Sequence, residues 1–422
     1  MKSPTLPLAL YAAATGLLEP LAPALLQARA RAGKEDPARL DERLARTGAA
    51  RPDGPLVWLH GVSVGESLSL LPLIDALRAR QPAVSLLVTS GTVTSAALLA
   101  QRLPSGVIHQ FVPVDSPGAA ARFLDHWRPS TALFVESELW PNLILAAKAR
   151  GVRLALLSAR MTDASAQGWA RTPGSAQALL AAFDLVLPQD RATEERLRKL
   201  GARTGPELNL KLVGPPPPVD QGLAAGLRAG IGGRKVVLAA STHPGEERLI
   251  AQAARAAASE ALLLIAPRHP ERGPQIAADL KDLGFEVARR AGHEPPTAAT
   301  TAYVADTLGE MGVLFSLADV VVMGGSFVEG IGGHNPLEPA RLGRAIVTGP
   351  HAFNARDVYA EMFAEVAAIE AADAASMARH VRGLLTYPMI ARRIGEAALA
   401  YAGRQGAALD AAMALLEPLL PA

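Results

Sequence analysis

From Pro55 onward, short apolar runs alternate with longer segments in which apolar residues recur every three or four positions. The apolar runs of the first half are predicted to be buried strands: LVWLHG, VSLLVTSG, VIHQFVPV, TALFVES, VRLALLSA and DLVLPQ. The segments between them, such as LSLLPLIDALRAR and AAARFLDHW, have the spacing of amphipathic helices. Apolar strands that alternate with such helices predict a parallel sheet covered by helices on both faces.

This pattern ends near Leu212 and is followed by GPPPPVD, residues 214–220. Four prolines cannot continue a helix or a central strand, so we predict an interdomain linker here. The alternation then restarts with the predicted strands KVVLAAS, ALLLIAPR, FEVARR, AYVADT, DVVVMGGS and AIVTGP, and the chain is predicted to be helical from about Ala374. We therefore expect an α/β protein of two Rossmann-like domains, residues 35–213 and 214–422, facing a central cleft at the carboxyl ends of their strands.

The amino-terminal segment, residues 1–34, has a different composition. Between Leu6 and Leu26 the single charged residue is Glu19, and basic residues follow. The length matches a membrane span, and the basic residues would keep its carboxyl side in the cytoplasm. Glu19, two prolines and many alanines are equally compatible with a helix that lies in the membrane interface, and a helix packed on the protein is the third possibility. A cleaved signal peptide is disfavoured, since only Lys2 supplies charge before the apolar run.

Composition narrows the class of protein. Half of the 422 residues are hydrophobic, which is enough for two cores. The formal net charge is +2, and this near balance argues against binding of nucleic acid by bulk electrostatics. The absence of cysteine excludes disulfides, thiolate nucleophiles and Cys-ligated zinc.

The first segment that could carry chemistry is LHGVSVGES, residues 59–67. A predicted strand leads through two glycines into a helix that is predicted to begin near Ser67, and Glu66 would lie beside that helix start. A carboxylate there could be the general base that activates an acceptor hydroxyl. The helix dipole, which favours acidic residues in the first turn, also explains Glu66.

A second acidic segment is VESELWPN, residues 135–142. Glu136 and Glu138 follow a predicted strand and precede a helix that Pro141 could start. The two carboxylates could hold a hydroxyl-rich acceptor or orient nearby basic residues, or they could cap the helix.

In the second half, polar groups follow two successive predicted strands. AASTHPGEE places Ser241, Thr242 and His243 at one strand end, and APRHPER places Arg268 and His269 at the next. Hydroxyls, backbone N–H groups and a guanidinium at one sheet edge are typical of a phosphate-binding site.

The densest cluster of glycines and polar residues is GGSFVEGIGGHNPLEPA, residues 324–340. Its glycines, with His334 and Asn335 before a helix, could wrap a phosphate with backbone N–H groups. Glu338 in the first helical turn could accept hydrogen bonds from ribose hydroxyls. A plain glycine-rich turn would explain the glycines but not the polar residues beside them.

Histidines His243, His269 and His334 raise the question of a metal site. They belong to separate loops without close ligand spacing, and no Asp-x-Asp pair stands out. We therefore predict that no metal is bound and that arginine, histidine and helix ends meet the phosphate charge.

Taken together, these segments resemble the 3-deoxy-D-manno-octulosonic acid (Kdo) transferase family. HGVSVGES, ESELWPN, ASTHPGEE, PRHPER, DTLGE, GGHNPLEPA and GPHAFN agree with the family in order, and the similarity runs through most of the chain. The resemblance implies an inverting glycosyltransferase of GT-B fold, with CMP-Kdo as donor, a lipid A precursor as acceptor, and no required metal or cofactor. It also implies that the amino-terminal helix holds the protein at the cytoplasmic face of the inner membrane.

The resemblance assigns the role of catalytic base to Glu66. The acceptor-side candidates are Ser63, Gly65, Glu136 and Glu138. The donor-side motifs match Ser241, Thr242, His243, Arg268, Thr307, Gly309, Glu310, Gly333, Asn335 and Glu338.

The chain departs from the family near the linker, where ELNLKLV replaces a GNLKFD-like motif, and in SARMTDAS, where Ser158 replaces the usual Asn. The residues alone leave two other functions open. One is a nucleotide-sugar epimerase, which uses the same two-domain architecture without a lipid acceptor. The other is a non-catalytic protein that binds nucleotides or lipids.

Overall fold

The structure is a computed structural model that describes residues 5–421, so Lys2 lies outside the described part. The chain divides into two compact units. The first unit contains the residues up to Gly214 and those from Gln405 onward, and the second unit is Pro215–Arg404.

The first unit is built on a six-stranded sheet. Its strands are β1 Leu56–His60, β2 Ser85–Ser90, β3 Ile108–Phe111, β4 Thr131–Val135, β5 Arg153–Ala159 and β6 Leu185–Pro188. All neighbouring strands are parallel, and their order is β3-β2-β1-β4-β5-β6, the doubly wound order.

Helices cover both faces of this sheet. The helices of this unit are α1 Leu6–Leu18, α2 Ala22–Arg31, α3 Leu40–Arg43, α4 Val64–Arg80, α5 Val93–Arg102, α6 Pro117–Trp127, α7 Pro141–Ala149, α8 Asp163–Ala170, α9 Pro173–Leu180 and α10 Arg191–Lys199. Trp58 and Phe134 belong to a core on one face with residues of α6, α7 and α9. Val57 and Leu59 face the opposite core, which α4 and α5 complete. A sheet buried on both faces needs continuous apolar strands, and LVWLH and TALFV are such strands.

The second unit is built on a seven-stranded parallel sheet. Its strands are β7 Val236–Thr242, β8 Leu262–Pro267, β9 Val287–Arg289, β10 Ala302–Val304, β11 Val320–Met323, β12 Ala345–Thr348 and β13 Ile369–Glu370. The order is β13-β12-β11-β7-β8-β10-β9, which repeats the doubly wound order with β9 added at one edge. Its helices are α11 Gln221–Ile231, α12 Glu246–Ala257, α13 Gly273–Asp282, α14 Met311–Leu317, α15 Leu337–Ala340, α16 Arg356–Ala364, α17 Ala374–Thr386 and α18 Pro388–Leu416.

The predicted fold class, two α/β domains with parallel sheets and an amino-terminal apolar helix, is confirmed. The helix predicted to begin near Ser67 begins at Val64 instead, because Ser63 caps it. The second unit also ends earlier than the predicted domain of residues 214–422, because the last part of α18 belongs to the first unit. From Gln405 the chain packs with the first unit, since Met413 and Leu416 join the core that contains Leu59.

The order of strands reverses direction between β1 and β4 in the first sheet, and between β7 and β11 in the second. Loops that leave the carboxyl ends of strands at such a point diverge and form a crevice where ligands bind. Glu66 and Glu138 follow β1 and β4, and His243 and Gly333 follow β7 and β11. In each unit, the predicted residues therefore lie at the edge where this fold places ligands.

Candidate active site

Glu66 lies in the first turn of α4, directly after the loop that leaves β1. Ser63 Oγ accepts a hydrogen bond from the backbone N–H of Glu66 (3.3 Å). In return, Oε2 of Glu66 accepts bonds from the backbone N–H groups of Ser63 (3.0 Å) and Val62 (2.5 Å). This capping box holds the carboxylate through one oxygen, Oε2.

Two glycines let the chain pass closely around Glu66. A Cβ on Gly61 would lie 3.0 Å from Cβ of Glu66 and 3.1 Å from Cγ2 of Val135, the last residue of β4. A Cβ on Gly65 would lie 3.9 Å from Cε of Lys211. The predicted residues Ser63, Gly65 and Glu66 therefore form one turn, packed between the end of β4 and Lys211.

The two carboxylates that follow β4 do not cap α7. Glu136 is 4% exposed and has φ of 58°, a left-handed conformation that is uncommon outside glycine. Its Oε1 lies 2.7 Å from Nζ of Lys211, which makes an ion pair by distance although the angles do not satisfy a hydrogen bond. Glu138 Oε2 accepts a hydrogen bond from the indole N–H of Trp140. The first turn of α7 is held by Asp115 instead, so the helix-capping explanation of Glu136 and Glu138 is wrong.

Two side chains at this edge were not selected from the sequence. Lys211 is one, and His60, the fully buried last residue of β1, is the other. His60 Nδ1 lies 2.8 Å from the Thr89 hydroxyl, while Nε2 has no hydrogen bond and lies 3.7 Å from Oε2 of Glu138. A histidine at the end of the apolar run LVWLH, and a lysine retained in ELNLKLV, were the available signals.

In the second unit, the backbone is irregular where β7 ends. The pairing of β7 with β8 shifts register between Ala240 and Thr242, and Ser241 has φ of 58°. The buried Thr242 hydroxyl donates to Oε1 of Glu247 (3.0 Å), and the Thr242 carbonyl accepts the backbone N–H of Arg268 (3.0 Å). The structure thus brings the predicted residues that follow β7 and β8 together at one edge.

His243 and His334 form a close pair between the loops that follow β7 and β11. Their Nε2 atoms lie 2.9 Å apart, and a hydrogen bond between them needs one protonated and one unprotonated nitrogen. Burial is the main cause that lowers the pKa of both rings, and His243 and Arg268 help to lower that of His334 to about 4. At neutral pH the pair is therefore uncharged, and Arg268 and Arg272 supply the positive charge nearby.

Glu246, at the start of α12, fastens the loops of β7 and β11 to each other. Its buried carboxylate accepts four backbone N–H groups, from His243 (2.9 Å), Gly325 (2.7 Å), Ser326 (3.0 Å) and Phe327 (2.9 Å). Three N–H groups of the glycine-rich segment are thus bonded within the protein and do not point to a phosphate. Sequence reasoning did not select Glu246, because an acidic residue in a first turn is ordinary.

Glu247, the next residue, forms an ion pair with Arg272 at the same edge. Its Oε1 accepts bonds from Nη1 of Arg272 (2.7 Å) as well as from Thr242. Arg268 is exposed and lies close enough to both His243 and His334 to lower their pKa values. One arginine is therefore tied down, and the other faces solvent beside the histidine pair.

The glycine-rich segment folds back on itself and packs on the loop that follows β12. Gly333 has φ of 74° and donates its N–H to the Gly325 carbonyl (2.7 Å). A Cβ on Gly333 would lie 2.9 Å from Cα of Ala352. Asn335 is exposed, and its Oδ1 accepts the N–H of Leu337 (2.9 Å) at the start of the four-residue helix α15. Gly333 is thus required by close packing as well as by its backbone conformation.

Glu338, in the first turn of α15, lies within electrostatic reach of two arginines. More than a third of the residue's surface is exposed, yet surrounding atoms desolvate its carboxyl group and raise its pKa. Arg341 and Arg268 oppose this rise through their charge. Glu338 and Arg268 are therefore electrostatic neighbours.

Thr307, Gly309 and Glu310 form a separate cluster after β10. The Thr307 hydroxyl donates to Oε2 of Glu310 (2.6 Å), and Arg290 binds Glu310 with Nη2 (2.8 Å) and Nε (3.0 Å). These contacts lower the pKa of Glu310, with Arg290 as the largest cause. Because β10 neighbours β8 in the sheet, this cluster shares an edge with Arg268, but no hydrogen bond joins the two groups within residues 5–421.

In the described part of the chain, no group of three or more His, Cys, Asp or Glu side chains is arranged to hold a metal ion. His269 lies edge-on to His243 with ring centroids 6.0 Å apart, and it does not join the close contact of His243 with His334.

Two doubly wound units with polar clusters at their switch points place the chain in the GT-B-like fold class. A glycosyltransferase from Rickettsia africae ESF-5 has a similar fold, with a TM-score of 0.57 and 10% identity over 87% of this chain and 99% of that chain. The same fold also serves other nucleotide-sugar enzymes, so the fold alone does not select the reaction.

The reaction is indicated by proteins of similar sequence. Residues 38–212 match the family model described as 3-deoxy-D-manno-octulosonic-acid transferase (kdotransferase). The 3-deoxy-D-manno-octulosonic acid transferase of Bordetella pertussis is 37% identical over 90% of this chain and 91% of its own length. That of Rickettsia bellii is 34% identical over 86% and 87%. The chain belongs to the Kdo transferase family, which makes it a glycosyltransferase and disfavours the epimerase alternative.

Proposed function

We propose that the chain transfers Kdo from CMP-Kdo to a lipid A precursor during lipopolysaccharide synthesis. Residues 35–213 would bind the acceptor, and residues 214–422 would bind the donor, except that the chain from Gln405 packs with the first unit. Family membership supports the transfer of Kdo. The observation that carries the mechanism is the orientation of the Glu66 carboxylate by a capping box at the switch point of the first sheet.

Glu66 is the general base in this proposal. The proton of an acceptor hydroxyl moves to the carboxylate, and the acceptor oxygen attacks the anomeric carbon of Kdo. The bond from that carbon to the phosphate oxygen breaks, and its electron pair leaves with CMP, so the configuration is inverted. Val62 and Ser63 bind Oε2, which leaves Oε1 to take the proton.

On the acceptor side, Glu136 and Glu138 have different roles. Glu136 is buried and paired, so it acts by holding Lys211 beside the Glu66 turn. Glu138 is partly exposed and receives hydroxyl groups of the acceptor, with its carboxylate oriented by Trp140. Ser63 and Gly65 form the wall next to Glu66.

On the donor side, the exposed Arg268 pairs with the CMP phosphate, since a guanidinium forms strong charge-assisted bonds to phosphate oxygens. His243 lies beside it as a neutral ring, and Gly333 gives the backbone a close approach. We assign the remaining contacts with the nucleotide and sugar to Ser241, Thr242, Thr307, Gly309, Glu310, Asn335 and Glu338. Stabilising the leaving phosphate with these groups requires no metal, and we expect chelators to leave turnover unchanged.

The amino-terminal helix lies in the membrane interface rather than across the bilayer. The segment Leu6–Arg31 is long and apolar enough to span, and 11% of an apolar 18-residue window within it is buried. At 100° per residue, the exposed leucines of α1 fall within an arc of about 120°; they are Leu6, Leu10, Leu17 and Leu18. The adjoining arc of α1 carries Tyr11 and Thr15; together with Glu19, the residue after α1, they bond to the rest of the first unit. A spanning helix would break those bonds, whereas an interfacial helix keeps them, and basic residues after Leu26 favour the cytoplasmic face.

Mass spectrometry after incubation with CMP-Kdo and a tetra-acylated lipid A precursor tests this function. We expect the acceptor to gain one or more Kdo residues and CMP to be released. An isomerised UDP-sugar, with no change in the acceptor, would favour an epimerase. Binding of CMP without transfer would favour a binding protein.

A further inference from the structure

The amino-terminal helix touches the first unit through hydroxyl groups. Tyr11 Oη donates to Oδ2 of Asp115 (3.0 Å), and Nδ2 of Asn142 donates to the Thr15 hydroxyl (2.9 Å). Thr15 Oγ1 in turn donates to the carbonyl of Tyr11 (2.8 Å), one turn earlier in α1. A continuous set of hydrogen bonds therefore joins one face of α1 to Asp115 and Asn142.

Asp115 also forms hydrogen bonds with the first turn of α7. Its Oδ1 accepts the N–H of Leu143 (2.9 Å), its Oδ2 accepts the N–H of Asn142 (3.3 Å), and its carbonyl accepts Nδ2 of Asn142 (2.7 Å). These donors satisfy a carboxylate that is taken out of water, which is costly when donors are missing. Loss of the Tyr11 hydroxyl would leave that carboxylate one donor short and loosen the first turn of α7.

The first turn of α7 is one of the two ends of the loop that carries Glu136 and Glu138. At the other end, the Glu136 N–H donates to the Leu157 carbonyl (3.2 Å), and the Glu136 carbonyl accepts the N–H of Arg160 (3.2 Å). The end at β4 is thus fixed by hydrogen bonds to β5 and to Arg160, and the end at α7 is fixed by Asp115 and α1. A shift of α7 would move Trp140, which orients Glu138.

We infer that Tyr11 and Thr15 are positioning residues for the acceptor-side carboxylates, so that α1 has separate roles on its two faces. The face with the exposed leucines holds the protein at the membrane. The face with Tyr11 and Thr15 positions the loop that carries Glu136 and Glu138, which we call the acceptor loop. This inference rests on the proposed transfer of Kdo to a lipid A precursor. It assigns to the helix a role in acceptor binding that is distinct from anchoring.

The test uses the full-length protein with CMP-Kdo and a tetra-acylated precursor in mixed micelles. Thr15→Val removes the hydroxyl, and Thr15→Ser keeps it. We expect Thr15→Val and Tyr11→Phe to raise KM for the acceptor about fivefold, as loss of one hydrogen bond would, with KM for CMP-Kdo unchanged. Thr15→Ser should return to the wild-type value. Thr5→Val is the matched control, because the Thr5 hydroxyl bonds to Ser175 on α9 rather than to the acceptor loop (2.6 Å).

Leu17→Gln separates the two faces. It should weaken binding to phosphatidylethanolamine–phosphatidylglycerol vesicles and leave KM for the acceptor in micelles unchanged. Thermal unfolding of each variant checks that it is folded. If Thr15→Val and Tyr11→Phe leave acceptor KM unchanged, act like Thr5→Val, or raise both KM values together, the positioning role is overturned. If the wild-type protein transfers nothing from CMP-Kdo, the proposed function itself fails.

Discussion

Lys211 and Glu136, from the linker side of the first unit and the end of β4, form an ion pair with Nζ 2.7 Å from Oε1. Glu136 is almost fully buried, whereas the lysine side chain is 40% exposed. The pair closes the loop after β4 over the turn that contains Glu66, because Lys211 also lies beside Gly65. A charge that is buried in this way depends on its partner.

Lys211→Met should therefore destabilise the first unit by about 1–3 kcal/mol, since it leaves a buried carboxylate without a partner. Acceptor turnover should fall with it. Lys211→Arg keeps the charge and serves as the control, and the double variant Lys211→Met, Glu136→Gln should regain part of the loss. Denaturant unfolding measures each change. Equal stability of Lys211→Met and the wild type would mean that the pair does not form in solution.

Glu246→Gln should destabilise the second unit by about 2–4 kcal/mol, because the carboxylate accepts four backbone N–H groups and an amide oxygen replaces only half of its acceptors. Affinity for CMP should fall as well, since the loops of β7 and β11 are released. Glu260→Gln, at an exposed position, is the matched control. Denaturant unfolding and calorimetric titration with CMP check both effects. A change no larger than that of the control would show that Glu246 does not hold the loops of β7 and β11 together.

Stability should depend on pH through His334. Its pKa is about 4 in the folded protein and 6.5 ordinarily, so between these values the unfolded chain binds a proton that the folded chain does not. Unfolding free energy should fall as the pH drops from 6.5 toward 4, by about 1 kcal/mol per pH unit from this residue.

Unfolding curves of wild type and His334→Asn at pH 7 and pH 5 measure this contribution. The variant should lose one histidine's share of the pH dependence, while the exposed His293→Asn should retain the wild-type slope. His109, whose pKa burial also lowers to about 4, keeps its own share in both. Identical slopes in all three proteins would contradict the burial of His334.

Two glycines of one segment offer a matched comparison. Gly333→Ala puts a Cβ 2.9 Å from Cα of Ala352, whereas Gly330→Ala meets nothing within 4 Å, and both have positive φ, 74° and 86°. Each variant should lose about 1 kcal/mol from backbone strain. Gly333→Ala alone should also raise KM for CMP-Kdo, because the segment and the loop after β12 must separate. Similar donor KM values for the two variants would show that close packing at Gly333 is not needed.

The apolar runs were sufficient to predict β1 to β12, because strands buried on both faces leave a continuous signal. They missed β13, which has two residues, α8, which buries none of its side chains, and α9, which has eight residues. The start of α4 was placed too late, since Gly65 and Ser63 interrupt the apolar pattern although Ser63 caps the helix.

Candidate residues at strand ends could be selected because the ends of parallel strands share one edge. The residues that hold these candidates in place could not be selected from the sequence. Glu246 holds residues about 80 positions away, and Lys211 pairs with Glu136 across a similar separation, so neither contact leaves a local pattern. The capping box of Glu66 was visible as S-x-x-E, and it accounts for the orientation of the carboxylate in the structure.

The most direct measurement is the turnover of Glu66→Gln. A glutamine carbonyl oxygen can still accept the N–H groups of Val62 and Ser63, so the capping box and the stability should be retained. Because an amide cannot take the acceptor proton, turnover with CMP-Kdo and the lipid A precursor should fall at least about 100-fold. A folded Glu66→Gln protein that keeps turnover within a few fold of the wild type would show that Glu66 only caps α4, and the assignment of the base would be lost.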